Sequence, residues 1–185
     1  MYKLCKTEQS AARQRQLELG LQRLMLSRRY EDISISDLCD MLQIPRKSFY
    51  RYFSSKDGAL FALLDHTMLE FYEQGLRSSG GGTPLGDLEH FFVFWHKRKE
   101  LLDALARSGL SGLLVERATA LAMKEKLVPR LMLAWSEDVQ KIALSFSVCG
   151  LLSMVIQWHH TGFQISPEEM TRVAKAMLTR PLIPM

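Results

Sequence analysis

The sequence predicts an all-α chain of about nine helices in two parts, a basic one at 1–56 and a near-neutral one at 57–185. Three observations predict it. No stretch alternates apolar and polar β-branched residues with period two, as a half-buried strand requires. Leu, Met, Ala, Arg, Lys and Glu, which favour helix, dominate throughout. Capping and turn residues then divide the chain into pieces of helix length.

A first helix at 10–27 carries Leu17, Leu21 and Leu24 on one face, with Gln and Arg opposite. Arg28 and Arg29 near its end complement the negative pole of the helix. Ser34 and Asp37 form a capping box that opens a short helix at 35–42, and Leu38, Met41 and Leu42 give it a buried face. Gln43-Ile44-Pro45 makes a tight turn, with Pro45 where a further helix, 46–53, begins. Phe49 and Phe53, four residues apart, face inward with Ile44, which leaves Arg46, Lys47, Tyr50 and Arg51 on the outer face. A longer helix at 56–77 places Leu60, Leu63, Leu64, Thr67, Met68 and Phe71 on one side.

Residues 78–84, with three consecutive glycines and a proline, break the helical pattern and read as a flexible connection. Helices follow at 85–107 with a bend near Trp95, at 110–126, at 129–136 in a shorter piece, and at 138–160, where Gly162 is the stop. The last helix has Ser166 as its cap, Pro167 at its first position and Glu169 three residues after the cap. Met170, Val173, Ala174, Met177 and Leu178 form its apolar stripe.

Composition excludes several classes. A content of 47% hydrophobic residues is too high for a disordered chain. Cys5, Cys39 and Cys149 are three, far apart, and form no CxxC, which supports neither a disulfide framework nor a zinc finger. The first nine residues hold Lys3, Lys6 and Glu8 and no apolar run, so no signal peptide is expected and the cytoplasm is the expected compartment. The 17 residues from Ile142 to Trp158 carry no charge, yet they include Ser145, Ser147, Ser153 and Gln157; a protein-covered helix is expected there, not a membrane span.

Charge is distributed unevenly. Residues 1–56 hold 11 Lys and Arg against 6 Asp and Glu, and the remaining residues hold 13 against 14. All of the positive excess therefore lies in the first third, the electrostatic signature of a module for nucleic acid or an anionic surface. Its outward side chains suit DNA. Arg46 and Arg51 can form bidentate bonds to guanine or clamp a phosphate. Lys47 and Ser48 stand near the helix start, within reach of base edges. Tyr50 and Tyr52 offer hydroxyls to the sugar-phosphate backbone. Ser34 begins a helix whose amides can face a phosphate, and Lys56 adds a cation at the start of the next one. Two short helices on a tight turn, the second basic outside and aromatic inside, constitute a helix-turn-helix.

The run from Tyr30 to Leu38, followed by Ile44 through Asp57, resembles the N-terminal signature of TetR/AcrR transcriptional regulators; the likeness covers residues 11–71. Its most specific part is the aromatic-Tyr-x-x-Phe-x-x-Lys run from Phe49 to Lys56. The resemblance implies an all-helical homodimer with an N-terminal DNA-binding domain and a C-terminal domain for effector binding and dimerisation. It implies phosphate contacts from Ser34, Tyr50, Tyr52 and Lys56, and base reading by Arg46, Lys47 and Ser48, with Arg51 beside them. Two positions depart from the family pattern. Gln43 replaces a common glycine and must either adopt a left-handed conformation or reshape the turn. Pro45 replaces a common Ser or Thr and removes a capping hydroxyl.

A two-fold dimer must bury an apolar helical face against its copy. The expected interface is Leu144, Val148, Leu151, Val155 and Trp158 on the uncharged helix, with Met170, Val173 and Met177 on the last one. A small apolar effector is expected near His66, Phe92, Trp95 and Trp135. His159 and His160 point in different directions on a helix and have no third ligand at suitable spacing, so no metal is expected, and no cofactor either. The expected function is a repressor released from a palindromic operator by its effector. The alternative is an activator or co-regulator controlled by a protein partner. No nucleophile–base–acid group or phosphate loop points to an enzyme.

Overall fold

The computed structural model describes residue 2 and residues 7–78, 88–126 and 133–179. Among these residues it contains nine α-helices and no strand, the all-helical architecture expected from the sequence. They are α1 (Glu8–Ser27), α2 (Ile35–Met41), α3 (Arg46–Tyr50), α4 (Lys56–Ser78), α5 (Leu88–His96), α6 (Lys99–Arg107), α7 (Ser111–Lys124), α8 (Glu137–His160) and α9 (Pro167–Thr179). A 3₁₀ turn at Tyr30–Asp32 joins α1 to α2. The glycine-rich break at 79–84 and the first part of the helix expected at 129–136 lie outside the described residues; residues 133–135 form a turn and bend.

The chain divides into two compact units: residues 1–67 with 100–113, and residues 68–99 with 114–185. The core of the first unit is mainly aliphatic, with two phenylalanines set among the leucines. Leu17, Leu21 and Met25 from α1, Leu38 from α2, Phe49 from α3, Phe53, and Leu60, Leu63 and Leu64 from α4 are all essentially without solvent contact. Gly20 is what lets α2 approach α1. A Cβ there would lie 2.9 Å from Leu42 Cδ1 and 3.0 Å from Leu38 Cδ1, well inside contact distance.

Local signals account for most boundaries. Thr7 caps α1 by accepting from the Ser10 amide at 3.2 Å, so the helix starts two residues before the expected position. Helix α3 stops at Tyr50, not at residue 53, and Tyr52 and Phe53 both donate their amides to Phe49 O in a closing turn. Phe53 then pairs with Tyr2 in an isolated antiparallel bridge. The bend expected near Trp95 is a complete break at Lys97 and Arg98, which separates α5 from α6. Ser166 caps α9 through the Glu169 amide at 3.2 Å, as its sequence announced.

In the second unit, Phe91, Phe92, Phe94 and Trp95 of α5 pack with Phe71 of α4 and with Trp158 of α8. Helix α8 ends where Gly162 (φ 75°) and Phe163 (φ 57°) turn the chain left-handed, with the Phe163 amide on Trp158 O at 3.0 Å.

The burial pattern of α8 divides the interface residues expected from the sequence into two sets. Leu144, Val148, Leu151, Val155 and Trp158 are buried within the single chain, as is Met170 of α9. They belong to the chain's own core, with Trp158 and Met170 also bordering an open groove. The apolar side chains turned to solvent are Val139, Ile142 and Phe146 of α8, the last two 70% and 72% exposed, together with Val173, Met177 and Leu178 of α9. Of the expected interface only Val173 and Met177 lie on the open face.

The close contact at Gly20 generates a test. Gly20→Val inserts three carbons between α1 and the leucines of α2, and overpacking of this kind costs about 2 kcal/mol. The thermal unfolding midpoint of the variant is expected to fall by several degrees, and an unchanged midpoint would contradict the packing described.

Candidate nucleic-acid interface

The helix-turn-helix is assembled by three local devices. The first is a complete capping box on α2. Ser34 Oγ accepts from the Asp37 amide at 3.1 Å, and Asp37 Oδ2 accepts from the Ser34 amide at 2.7 Å. The Ser34 hydroxyl also donates to Asp37 at 2.6 Å, and Arg28 pairs with the other carboxylate oxygen at 2.9 Å. The hydrogen bonds from Ser34, with Arg28 adding to them, hold the Asp37 carboxyl well below the usual carboxylate range.

The second device is the turn. Gln43 has φ 53°, so it takes up the left-handed conformation itself and the turn keeps its shape. Its amide donates to Asp40 O at 3.1 Å, and the Ile44 amide donates to Cys39 O at 3.0 Å. These two bonds are a Schellman closure of α2 with Gln43 in the position glycine usually holds. Pro45 (φ −64°, ψ 143°) precedes α3 and gives it no side-chain cap, as its lack of a hydroxyl dictates.

The third device is a staple from Lys56. Its ammonium donates to Tyr30 O at 2.5 Å and to Ile33 O at 2.6 Å, and it lies 4.2 Å from the centre of the Tyr30 ring. The Tyr30 hydroxyl donates to Asp57 at 2.5 Å, and burial foremost, with Asp57 adding to it, pushes that phenol far above its usual range. The start of α4 is thereby tied to the 3₁₀ turn ahead of α2. Lys56, expected on a phosphate, spends its ammonium on backbone carbonyls.

With these supports in place, α3 presents one face. Phe49 is fully buried, 5.4 Å from Phe53 between ring centres. Arg46, Lys47, Tyr50 and Arg51 are exposed on the other side, with Ser48 and Tyr52 half-buried at its margins. Among the described residues Arg46, Lys47 and Arg51 have no carboxylate partner, whereas Arg15, Arg28 and Arg29 in the same unit pair with Glu18, Asp37 and Glu31. A cluster of uncompensated cations with an exposed phenol between them is suited to an anionic polymer whose grooves carry hydrogen-bond acceptors.

The residues expected at an effector site fall in both units. His66 belongs to the first unit, where Nδ1 lies 2.9 Å from Glu18 Oε1; Glu18 is fully buried and also takes Arg15 at 3.0 Å. Phe92 and Trp95 are core of the second unit, and Trp135 is 44% exposed. Aromatic content alone does not separate ligand lining from packing, and Phe92 is fully buried. Two groups in the second unit do stand out. Trp95 Nε1 and the Tyr72 hydroxyl are buried without a hydrogen-bond partner, and burial pushes the Tyr72 phenol up to about 12. Tyr72 carries no pattern in the sequence that distinguishes it from other core aromatics.

No family model and no curated protein matches the sequence. Solved structures do match in fold. The fatty acid degradation regulator FadR from Bacillus halodurans superposes with a TM-score of 0.60 at 14% identity, over 97% of this chain and 98% of that one. The dihydroxyacetone kinase operon activator DhaS gives 0.58 at 16% identity, covering 91% and 94%. AlkX, a TetR-family repressor from a Dietzia species, gives 0.51 at 17% identity, covering 89% and 92%. The fold of this chain is therefore the TetR-regulator fold.

The staple makes its own prediction. Lys56→Met keeps the aliphatic stem and removes the ammonium from two carbonyls, and charged hydrogen bonds of this kind contribute about 2 kcal/mol together. Urea unfolding followed by circular dichroism is expected to show that loss before any effect on ligand binding is considered; equal stability would remove Lys56 from its structural role.

Proposed function

We propose that this chain is a homodimeric DNA-binding transcription regulator in which α3 enters the major groove. The observation that carries the reading is the exposed face of α3, with Arg46, Lys47 and Arg51 lacking carboxylate partners on a helix-turn-helix. In this reading Arg46, Lys47 and Ser48, at the start of the helix, reach base edges, while Tyr50, Arg51 and Tyr52 meet the sugar-phosphate backbone. Ser34 presents the amides of α2 from the far side of the turn. The TetR-regulator fold supports the reading by analogy of fold.

The second copy belongs on the open stripe of α8 and α9. Val139, Ile142 and Phe146, with Val173, Met177 and Leu178, are large apolar side chains left in solvent by the single chain, and a two-fold axis would bury both copies of the stripe at once. Two recognition helices related by that axis would read an inverted repeat with half-sites one helical turn or a multiple of it apart.

The partnerless Trp95 indole and Tyr72 hydroxyl support an effector with polar as well as apolar atoms in the second unit. Helix α4 runs unbroken from Lys56 in the first unit to Ser78 in the second, a covalent route by which occupancy of one unit biases the other. An effector that favours a dimer with mismatched recognition helices releases the operator by population shift, which is repression relieved by ligand.

Selection of bound duplexes from a random pool tests the reading directly. Wild-type protein is expected to enrich an inverted repeat. Lys47→Ala should relax the preference at one base pair per half-site and leave affinity for unrelated DNA nearly unchanged. Failure to enrich any duplex would sink the proposal. For the dimer, Phe146→Glu is expected to yield monomer in sedimentation equilibrium with helical content intact, and to lose operator binding with it; a variant that remains dimeric would place the interface elsewhere.

A further inference from the structure

One charged cleft joins two of the proposed DNA contacts, Arg51 and Tyr52, to residues of α1 that the reading has not used. Its walls are Gln9, Ser10 and Arg13 from the first turns of α1, and Arg51 and Tyr52 just beyond α3, around a volume of about 460 Å³. Every one of these side chains can donate a hydrogen bond: two guanidinium groups, a carboxamide, a hydroxyl and a phenol. Arg13 donates to Gln16 at 2.8 Å, a neutral acceptor, and neither arginine has a carboxylate partner among the described residues. Other arginines of the same unit, Arg15, Arg28 and Arg29, are compensated by acids.

Two uncompensated cations facing one small cleft repel each other, and an anion between them stabilises both. The ligand that fits is tetrahedral, anionic and rich in acceptors, because each guanidinium offers a planar fork that takes two oxygens. That chemistry is a phosphate. Arg51 follows the reading helix immediately, next to Tyr50, so the cleft adjoins the face that meets DNA. Resting on the DNA-binding reading, we infer that the cleft grips one backbone phosphate of the duplex, with Arg13 of α1 and Arg51 just beyond α3 holding the same phosphodiester. Arg13 is then more than general positive charge: it fixes the register of the first unit on the backbone, at a point away from the base-reading residues.

The test uses the full chain and a duplex recovered by selection, with affinity measured by fluorescence anisotropy from about 50 to about 200 mM salt. One phosphate contact adds about 0.9 to the slope of log affinity against log salt, which is about threefold over that range. Arg13→Gln and Arg51→Gln should each weaken binding to selected and unrelated duplexes alike. The double variant should lose one contact's worth of slope, about 0.9, because both side chains hold one phosphate. Arg23→Gln, on α1 but outside the cleft, should leave affinity and slope unchanged. Ethylation interference should show the same phosphate in each half-site losing its importance in both single variants.

A double variant that loses about twice that slope assigns the arginines to two phosphates and overturns the inference, as does an Arg13→Gln protein that binds like wild type. Calorimetric titration with inorganic phosphate in the absence of DNA covers the other source of the same chemistry. Saturable, Arg13-dependent uptake of phosphate would assign the cleft to a free anion and also overturn it. A wild-type protein that binds no duplex sinks the regulator reading itself, whereas a binding wild type with an unaffected Arg13 variant sinks the cleft alone.

Discussion

The ammonium of Lys56, held on the carbonyls of Tyr30 and Ile33, is the interaction on which the reading head depends. It ties the first residue of α4 to the turn that sets up α2, and α2 in turn supports α3 through the Schellman closure at Gln43. Around it five acids of the first unit are engaged. Asp37 is taken by Ser34 and Arg28, Asp57 by Tyr30, Asp65 by Tyr2, Glu18 by Arg15 and His66, and Glu31 by Arg29. Internal engagement of these carboxylates leaves no acid on Arg46, Lys47, Arg51 or Arg13. The uncompensated cations of the outer face thus reflect where the paired acids lie as well as the modest net charge of +4.

Helix α8 shows a different economy. It is apolar nearly all round, 24 residues long, and by length and composition alone it satisfies the test for a membrane span. One face packs against the chain's own aromatics through Trp158 and Phe92, 5.9 Å apart. The other face holds Ile142 and Phe146 in solvent. A helix with two apolar faces needs two covers, and the described residues provide one.

Much of the fold is legible in the sequence because its determinants are local. The capping box at Ser34, the cap at Ser166, the inward Phe49–Phe53 pair and the α4 stripe depend on residues three or four apart, and each is present where its spacing places it. The Gln43 turn was legible down to its two options, and the left-handed one is taken because the Schellman bonds to Asp40 and Cys39 hold it. Lys56 was legible as a cation near DNA but not as a staple. Its acceptors lie 26 and 23 residues back along the chain, beyond the reach of any local pattern.

The sequence by itself determined that the chain is helical, where most helices begin and end, and that a small basic face sits on a helix-turn-helix. Periodicity, capping chemistry and turn propensity act over one or two turns, so composition and spacing suffice to express them. Only the tertiary structure decided which face of α8 is core, that His66 serves buried Glu18, that the Tyr72 and Trp95 polar atoms lack partners, and that Arg13 and Arg51 share a cleft. Each of these is a matter of what lies across the gap between distant segments. Burial and charge compensation are set by the neighbours that folding brings together, and a periodic apolar or cationic stripe carries no record of them.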